Sequence, residues 1–383
     1  MSGPQRGFSH AEYRDRTRRA QALMRDAGIA ALLLTTEPEV RYFTGFITRF
    51  WESPTRPWFV IVPVDGDPIA VIPTIGAPLM SRTWVSEIRT WTAPNYGDDG
   101  ISLLAATLCD AVSEAGTIGL ADDIESHVRM PLKSLERLRR AIGDRRIVSD
   151  GAITRTLRQV KSPAEIAKIR HAAGIAERAF ARVGEVAAPG TPLSAVFRRF
   201  QMLCLEEGAD WVSYLAGAAA PGGYADVISP ATDKPLTDGD VLMLDTGVAW
   251  DGYFCDFDRN FSIGTPTKAV SHAHERLIEA TEAAFEIAKP GTTTADLHAA
   301  MNAVLHLDPD AGRLGHGLGM QLTEWPSIIP EDRTVLQPGM VLTLEPHVVL
   351  SGTRIMVHEE DIVIDAEGAD YLTVPAKREI LIL

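Results

Sequence analysis

Hydrophobic and polar positions alternate with helix and strand periods through the first 150 residues. These periods predict helices near 10–27 and 101–115 and strands near 30–35, 58–63, 68–73 and 117–120. Helices that alternate with short apolar strands are typical of a small α/β domain. We therefore expect the chain to begin with such a domain.

The pattern changes between Ile147 and Pro163. The run Ser162-Pro163-Ala164-Glu165 is typical of a helix start, with Ser as N-cap, Pro in the first turn and Glu at the third helical position. We place a domain boundary just before it, which predicts an N-terminal domain of residues 1–154 and a second domain of residues 155–383.

The second domain contains an internal repeat. Ala188–Thr191 (APGT) recurs as Lys289–Thr292 (KPGT), and Leu236–Asp245 recurs as Leu336–Glu345. Both matches have an offset of about 100 residues and occur in the same order, which predicts two copies of a helix-then-hairpin unit. A crevice between two such units is a common place for a binding site.

The first copy contains a predicted β-hairpin. Asp251-Gly252 is a turn signal between the apolar runs Val241–Ala249 and Tyr253–Ile263. If the turn has two residues, Asp245 lies directly opposite Asp258.

Three carboxylates then share one face of the hairpin, because Asp256 lies diagonally next to Asp245 and Asp258. The Arg on these strands, Arg259, alternates to the other face. Like charges among apolar residues are costly unless a cation compensates them, so a divalent cation is the simplest explanation. The alternatives are a solvated face and, for Asp258, pairing with an Arg. Glu345 is the counterpart of Asp245 in the second copy.

The segment Val357–Asp361 adds further acidic residues. Strand alternation puts His358 and Glu360 on one side and Glu359 and Asp361 on the other. Periodicity does not decide which Glu faces the site.

A single imidazole lies in the run Gly315–Gly319, where glycines at alternate positions allow close backbone approach around His316. Carboxylates with one imidazole suit manganese, cobalt, iron or zinc. Four carboxylates are also enough for two ions about 3.5–4 Å apart that share bridging oxygens and activate a water.

The order of these residues resembles the five-ligand signature of the pita-bread family, which includes methionine aminopeptidase, aminopeptidase P, prolidase and creatinase. The residues that carry the resemblance are Asp245, Asp256, His316, Glu345 and Glu360. Asp256–Phe261 is similar to the family's Asp-Ile-Thr-Arg-Thr-Phe, and Val40–Phe46 resembles the Tyr-Leu-Thr-Gly stretch of the creatinase-type leading domain. The fold implied is α/β (α+β): a creatinase-like N-terminal domain, then a pita-bread catalytic domain with internal two-fold pseudo-symmetry.

The resemblance also implies roles. Asp245 would hold one ion, His316 and Glu345 the other, and Asp256 and Glu360 would bridge them. Glu345 would also carry the proton between the attacking water and the leaving nitrogen. The implied cofactor is a pair of divalent ions, with manganese favoured over cobalt, zinc or iron, and the implied assembly is a homodimer.

The sequence departs from the peptidases of this family in three places. Thr323 stands where they carry a His, no His lies between His171 and His272 where they carry another, and His358 stands where prolidase-like members have Arg. Substrate contacts or support of the ligands are therefore expected from a different set: Asp258, Gln321, Thr323, Glu324 and His358.

The resemblance favours a dinuclear hydrolase of amide or peptide bonds, of the Xaa-Pro peptidase type (aminopeptidase P or prolidase). The missing imidazoles keep open a non-peptide C–N hydrolase or lyase that acts on a small zwitterionic metabolite. A metal-free binding protein on the same fold is a third possibility.

Composition and charge limit the binding partners and the cellular compartment that we expect for this protein. With 37 Lys and Arg against 51 Asp and Glu, the net charge of -14 opposes binding to nucleic acid or anionic membranes. No apolar run is long enough to span a bilayer, and the start of the chain has no apolar signal segment. Cys109, Cys204 and Cys255 are too few for a disulfide framework, so we expect a cytoplasmic protein.

Overall fold

The computed structural model describes residues 3–53 and 56–383, so four residues of the predicted N-terminal domain (1, 2, 54 and 55) lie outside the description. The chain forms two compact units, Gln5–Arg158 and Gln159–Leu383, and Gly3 and Pro4 belong to the second. The division falls a few residues after the predicted boundary. The helix Ile153–Gln159 stays with the first unit except for its last residue, and Tyr42 Oη donates to the carbonyl of Leu157 at 3.2 Å.

The first unit is a six-stranded sheet with helices, in strand order β4-β3-β2-β1-β5-β6. Its helices are α1 (His10–Ala27), α2 (Glu37–Thr44), α3 (Ala77–Met80), α4 (Ile101–Ala111), α5 (Leu132–Ala141) and α6 (Ile153–Gln159). Its strands are β1 (Ala31–Leu34), β2 (Phe59–Pro63), β3 (Ile69–Pro73), β4 (Glu87–Trp91), β5 (Thr117–Leu120) and β6 (Arg146–Ser149). The predicted elements are present, although α4 ends at Ala111. Strands β4 and β6 were not predicted, since they are largely half-buried or exposed and lack an apolar run.

The second unit contains two larger sheets, ordered β18-β10-β8-β7 and β12-β11-β13-β16-β17, and a small β14-β15 ribbon. Its helices are α7 (Pro163–Ala181), α8 (Leu193–Glu206), α9 (Lys268–Ile287) and α10 (Thr294–Leu305). Its strands are β7 (Trp211–Pro221), β8 (Asp240–Trp250), β9 (Tyr253–Phe254), β10 (Phe257–Ser262), β11 (Gly315–Gly317), β12 (Glu324–Ser327), β13 (Val341–Leu344), β14 (His347–Ser351), β15 (Arg354–Val357), β16 (Glu360–Ile364), β17 (Ala369–Tyr371) and β18 (Leu381–Ile382). Helix α7 begins with the predicted capping box of Ser162 and Glu165.

The internal repeat corresponds to two similar halves of this unit. Antiparallel strands β7, β8 and β10 in the first half match β11, β13 and β16 in the second. The same loop hydrogen bonds recur: Gly190 N donates to Leu236 O at 2.8 Å, and Gly291 N donates to Leu336 O at 3.1 Å. One apolar core lies in the first half, and the other is formed mostly by the second half. The predicted duplication is confirmed.

The hairpin of the first half has the predicted register. Asp251 and Gly252 have φ of 49° and 79°, as a two-residue turn of the primed type requires. Trp250 pairs with Tyr253, and Asp245 pairs with Asp258.

Candidate metal centre

Acidic side chains from both halves line one cavity of about 250 Å³ in the second unit. The carboxylates and the imidazole in its wall are Asp245, Asp256, Asp258, His316, Glu345 and Glu359. One ligand atom each from Asp256, His316 and Glu359 lies within 4.8 Å of the others, a spacing that suits one metal ion. The residues that line the cavity thus lie on or next to strands that are equivalent in the two halves.

The glycines around His316 let three strands come together. A Cβ at Gly317 would lie 2.1 Å from the carbonyl oxygen of Trp325, and one at Gly315 would lie 2.1 Å from that of Thr343. Strand β11 therefore fits between β12 and β13 only without these side chains. The predicted close backbone approach is confirmed.

The ring of His316 has the surroundings of a neutral imidazole. Its Nδ1 lies 2.8 Å from the carbonyl oxygen of Gly317, which can only accept, so Nδ1 carries the proton. Nε2 then faces Asp256 with a free lone pair, at 3.5 Å from Oδ2. Burial, with the positive charge of Arg313 adding to it, lowers the pKa of His316 to about 4. A metal-bound His shows the same kind of second hydrogen bond.

The carboxylates are poorly compensated by protein charges. Burial, and then repulsion between neighbouring carboxylates, raises the pKa of Asp245, Asp256 and Glu359 well above the ordinary range. Asp245 Oδ1 and Asp258 Oδ2 are buried and have no hydrogen-bond partner. Such a set fits divalent cations, which supply the missing positive charge and take up the free oxygens.

Glu345 follows the end of β13 and is half-buried in the cavity wall. Burial raises its pKa to about 7, with Arg313 opposing the shift and Asp258 adding to it. Its carboxylate therefore belongs to the same group of mutually repelling acids.

Glu359 is held by two neighbours. Its backbone N donates to Asp258 Oδ1 at 3.0 Å, and its Oε1 accepts from Thr343 Oγ1 at 2.8 Å. Asp258, which the sequence places opposite Asp245, thus lines the cavity and also fixes Glu359 in the short link between β15 and β16.

Glu360 lies on the other side of its strand, so the expectation that it faces the cluster is wrong. Its carboxylate binds Arg259 at 3.1 Å, His358 Nε2 at 3.2 Å, the backbone N of Ala376 at 2.7 Å and the hydroxyl of Thr373. Although burial would raise the pKa of Glu360, Arg259 and these hydrogen bonds lower it to about 2. Side chains alternate between the two sides of the strand as predicted, but the residues on the side of the cluster are Glu359 and Asp361. Oδ2 of Asp361 accepts a hydrogen bond from Asp256 N at 3.1 Å.

Of the other predicted site residues, one more lines the cavity and three lie outside its wall. Thr323 lines the cavity, whereas Gln321, Glu324 and His358 are not part of its wall. Glu324 Oε1 instead accepts from the backbone N of Met320 and Gln321 at 2.9 and 3.0 Å, and thereby shapes the loop after His316. His358 connects Glu360 to Asp258, at 3.2 and 3.5 Å, and lines a separate cavity beside α9.

The rest of the wall is mostly apolar, and the residues that complete it are Tyr214, Val227, Ile228, Arg313, Leu322 and Val357. None of these six was predicted as a site residue. Arg313 lies three residues before His316, which was the one sequence signal that could have drawn attention to it.

Comparison with known proteins agrees with this geometry. The model of metallopeptidase family M24 matches residues 167–366, and the creatinase/prolidase N-terminal domain model matches residues 16–160. The chain belongs to the M24 family. This membership confirms the resemblance and the two-part fold drawn from the sequence.

Three relatives of this M24 protein are instructive. A probable dipeptidase PepE of Mycobacterium tuberculosis is 30% identical over 99% of this chain and 98% of its own. An Xaa-Pro dipeptidase of Pyrococcus furiosus is 31% identical over 60% of this chain and 67% of its own. The crystal structure of dipeptidase PepE from Mycobacterium ulcerans superposes with a TM-score of 0.84 at 27% identity, covering 98% of this chain and 99% of that one.

The M24 chain is thus a metal-dependent peptidase that hydrolyses peptide bonds, and the non-peptide alternative is not favoured. No helix in the described ranges has both the length and the apolar character needed to cross a membrane.

Proposed function

We propose that this chain is a dinuclear dipeptidase that cleaves short peptides, with Xaa-Pro dipeptides among its substrates. The observation that carries the proposal is the single buried cavity in which Asp245, Asp256, His316, Glu345 and Glu359 meet. Relatives named as dipeptidases and as an Xaa-Pro dipeptidase support the substrate class.

Five residues would hold two divalent ions, with manganese as our first choice. These residues are Asp245, Asp256, His316, Glu345 and Glu359, with Glu359 in place of Glu360. When bound, the ions supply Lewis acidity towards the scissile carbonyl and lower the pKa of a water.

Glu345 is the residue that we assign to proton transfer. It lies in the wall of the cavity beside the other carboxylates. Its carboxylate would take a proton from the attacking water and return it to the leaving nitrogen. Val227 and Leu322, which are half-buried, add apolar surface to the wall.

Two further proposals concern the state of the protein. We expect a homodimer, as the family resemblance implies, and light scattering of the purified protein would measure it. We place the protein in the cytoplasm, which is supported by the free thiols of Cys109, Cys204 and Cys255 in the described structure.

The test is a substrate panel run on metal-free protein reloaded with Mn, Co, Zn or Fe. The panel contains Xaa-Pro dipeptides, dipeptides without proline, Xaa-Pro-Yaa tripeptides, and small amidines and betaine-like compounds. We expect turnover of dipeptides that a chelator abolishes and added metal restores. Turnover of a non-peptide compound, with no peptide cleaved under any metal, would overturn the proposal.

A further inference from the structure

The cavity of the candidate metal centre has a single Arg or Lys, Arg313, among the described residues that line it. It lies just before β11, and its side chain is exposed, whereas Asp256, His316 and Glu359 are each only 3% exposed. A residue that both lines the cavity and reaches solvent stands at its mouth. The cation is therefore at the open end, and most of the acidic groups are at the closed end.

The guanidinium group of Arg313 is available to a ligand. Within residues 3–53 and 56–383, no hydrogen bond or ion pair engages it. Its charge nevertheless reaches the cluster, since it lowers the pKa of both Asp256 and Glu345. Arginine presents a planar fork of donors that matches a carboxylate in two parallel hydrogen bonds.

The carboxylate end of a peptide needs a positive charge beside it in this acidic cavity. The wall carries five carboxylates, Asp245, Asp256, Asp258, Glu345 and Glu359. Two divalent ions would leave one negative charge there, so the carboxylate end of a dipeptide needs a positive group of its own. Arg313 supplies a compensating positive charge on the wall.

The size and lining of the cavity suit a short peptide. Its volume of about 250 Å³ lies below the range of roughly 300–1,000 Å³ that is typical of pockets for drug-sized ligands. Val227, Ile228 and Leu322 provide an apolar surface for a side chain. A ligand enclosed by this cavity would be no larger than a short peptide.

We infer that Arg313 binds the C-terminal carboxylate of the substrate and thereby restricts this peptidase to short peptides with a free C-terminus. The inference rests on the proposed dipeptidase function and adds the residue that recognises the charged end. Arg313 is a binding residue here, because it acts on the end of the peptide and not on the scissile bond.

The experiment compares each of two dipeptides with its own C-terminal amide, for the wild type and the variants Arg313→Ala and Arg313→Lys. Arg333→Ala is the matched control, since Arg333 is exposed and outside the cavity wall. We expect Arg313→Ala to lower kcat/KM for the free acid about 10- to 100-fold, the range for hydrogen bonds to a charged group. The amide should change less than about 3-fold, and Arg313→Lys should recover part of the loss because it keeps the charge but not the fork.

A second measurement does not depend on turnover. Calorimetry should show that metal-free wild type binds a dipeptide acid more tightly than its amide, and that Arg313→Ala removes this difference. Bound metal per chain should be the same in all four proteins, which separates substrate binding from metal retention.

Three results would go against the inference. Equal losses for acid and amide would mean that Arg313 acts elsewhere than on the carboxylate. An unchanged preference for the acid in Arg313→Ala would also overturn it, while the dipeptidase function would stand. No turnover of any peptide by wild type would end the proposed function, and this inference with it.

Discussion

Glu359 and Glu360 are adjacent glutamates with opposite electrostatic surroundings. Glu359 lies among carboxylates, and burial together with their repulsion raises its pKa well above the usual value. Glu360 is paired with Arg259, which also binds Glu177 at 3.0 Å, and its pKa is lowered to about 2. The surroundings of Glu359 lack a cation, whereas those of Glu360 already contain the guanidinium group of Arg259.

Matched substitutions of the two glutamates should therefore have different effects. Glu359→Gln should lose tightly bound metal and activity, yet its metal-free form should be more stable than metal-free wild type because Gln is neutral without having to bind a proton. Glu360→Gln should keep its metal but lose about 3 kcal/mol of unfolding free energy, because Arg259 loses a buried partner. Metal analysis and urea unfolding of both variants measure this. Metal loss in Glu360→Gln with metal retained in Glu359→Gln would restore the expectation drawn from the resemblance.

At the level of elements, strand β11 carries His316 and sets its position. It pairs with β12 and β13, and the backbones approach so closely at Gly317 that no Cβ fits. The carbonyl of Trp325 in the way is backbone and cannot rotate aside as a side chain could.

Gly317→Ala should accordingly destabilise the second unit by about 1–3 kcal/mol, the usual cost of overpacking. It should also weaken metal binding, because the Gly317 carbonyl that orients the His316 ring shifts. Gly368→Ala is the control, since a Cβ there meets nothing within 4 Å. Thermal unfolding and metal content would be compared, and wild-type values for Gly317→Ala would show that β11 tolerates wider spacing.

At the level of the whole molecule, the cavity draws its acidic residues from both halves of the second unit. Asp245 and Asp256 come from the first half, and His316, Glu345 and Glu359 come from the second. Without a cation these like charges repel one another across the cavity. Metal that binds only the folded chain adds its binding free energy to stability.

Removal of metal should therefore lower the unfolding temperature and make stability depend on pH. In the metal-free protein the folded pKa of Asp245, Asp256 and Glu359 lies above the unfolded pKa, so the folded state binds more protons. Stability is then highest at or below the unfolded pKa near 4 and falls as pH rises towards the folded pKa, by up to about 1.4 kcal/mol per pH unit for each group.

Thermal unfolding between pH 5 and pH 8, with chelator and with added Mn, would test this. Asp245→Asn should flatten the slope of the metal-free protein because it removes one titrating group. Metal-free wild type that gains stability from pH 5 to pH 8 would contradict the prediction.

Much of the fold could be predicted because it depends on local chemistry. The Asp251-Gly252 turn sets the hairpin register, and this local signal is enough to pair Asp245 with Asp258. Self-similarity at a fixed offset revealed the two halves. The half-buried strands β4 and β6 escaped prediction because their residues show no clear apolar pattern.

Sequence by itself thus determined the two-part fold, the duplication, and the gathering of Asp245, Asp256, His316 and Glu345 around one cavity. It determined that Glu359 and Glu360 face opposite ways, because alternation is a property of the backbone. Only the tertiary structure decided which of them faces the cavity, since both sides of β16 are buried and the distinction depends on Arg259 from a distant strand. The same holds for Arg313, whose place at the cavity mouth follows from packing and from no periodic pattern.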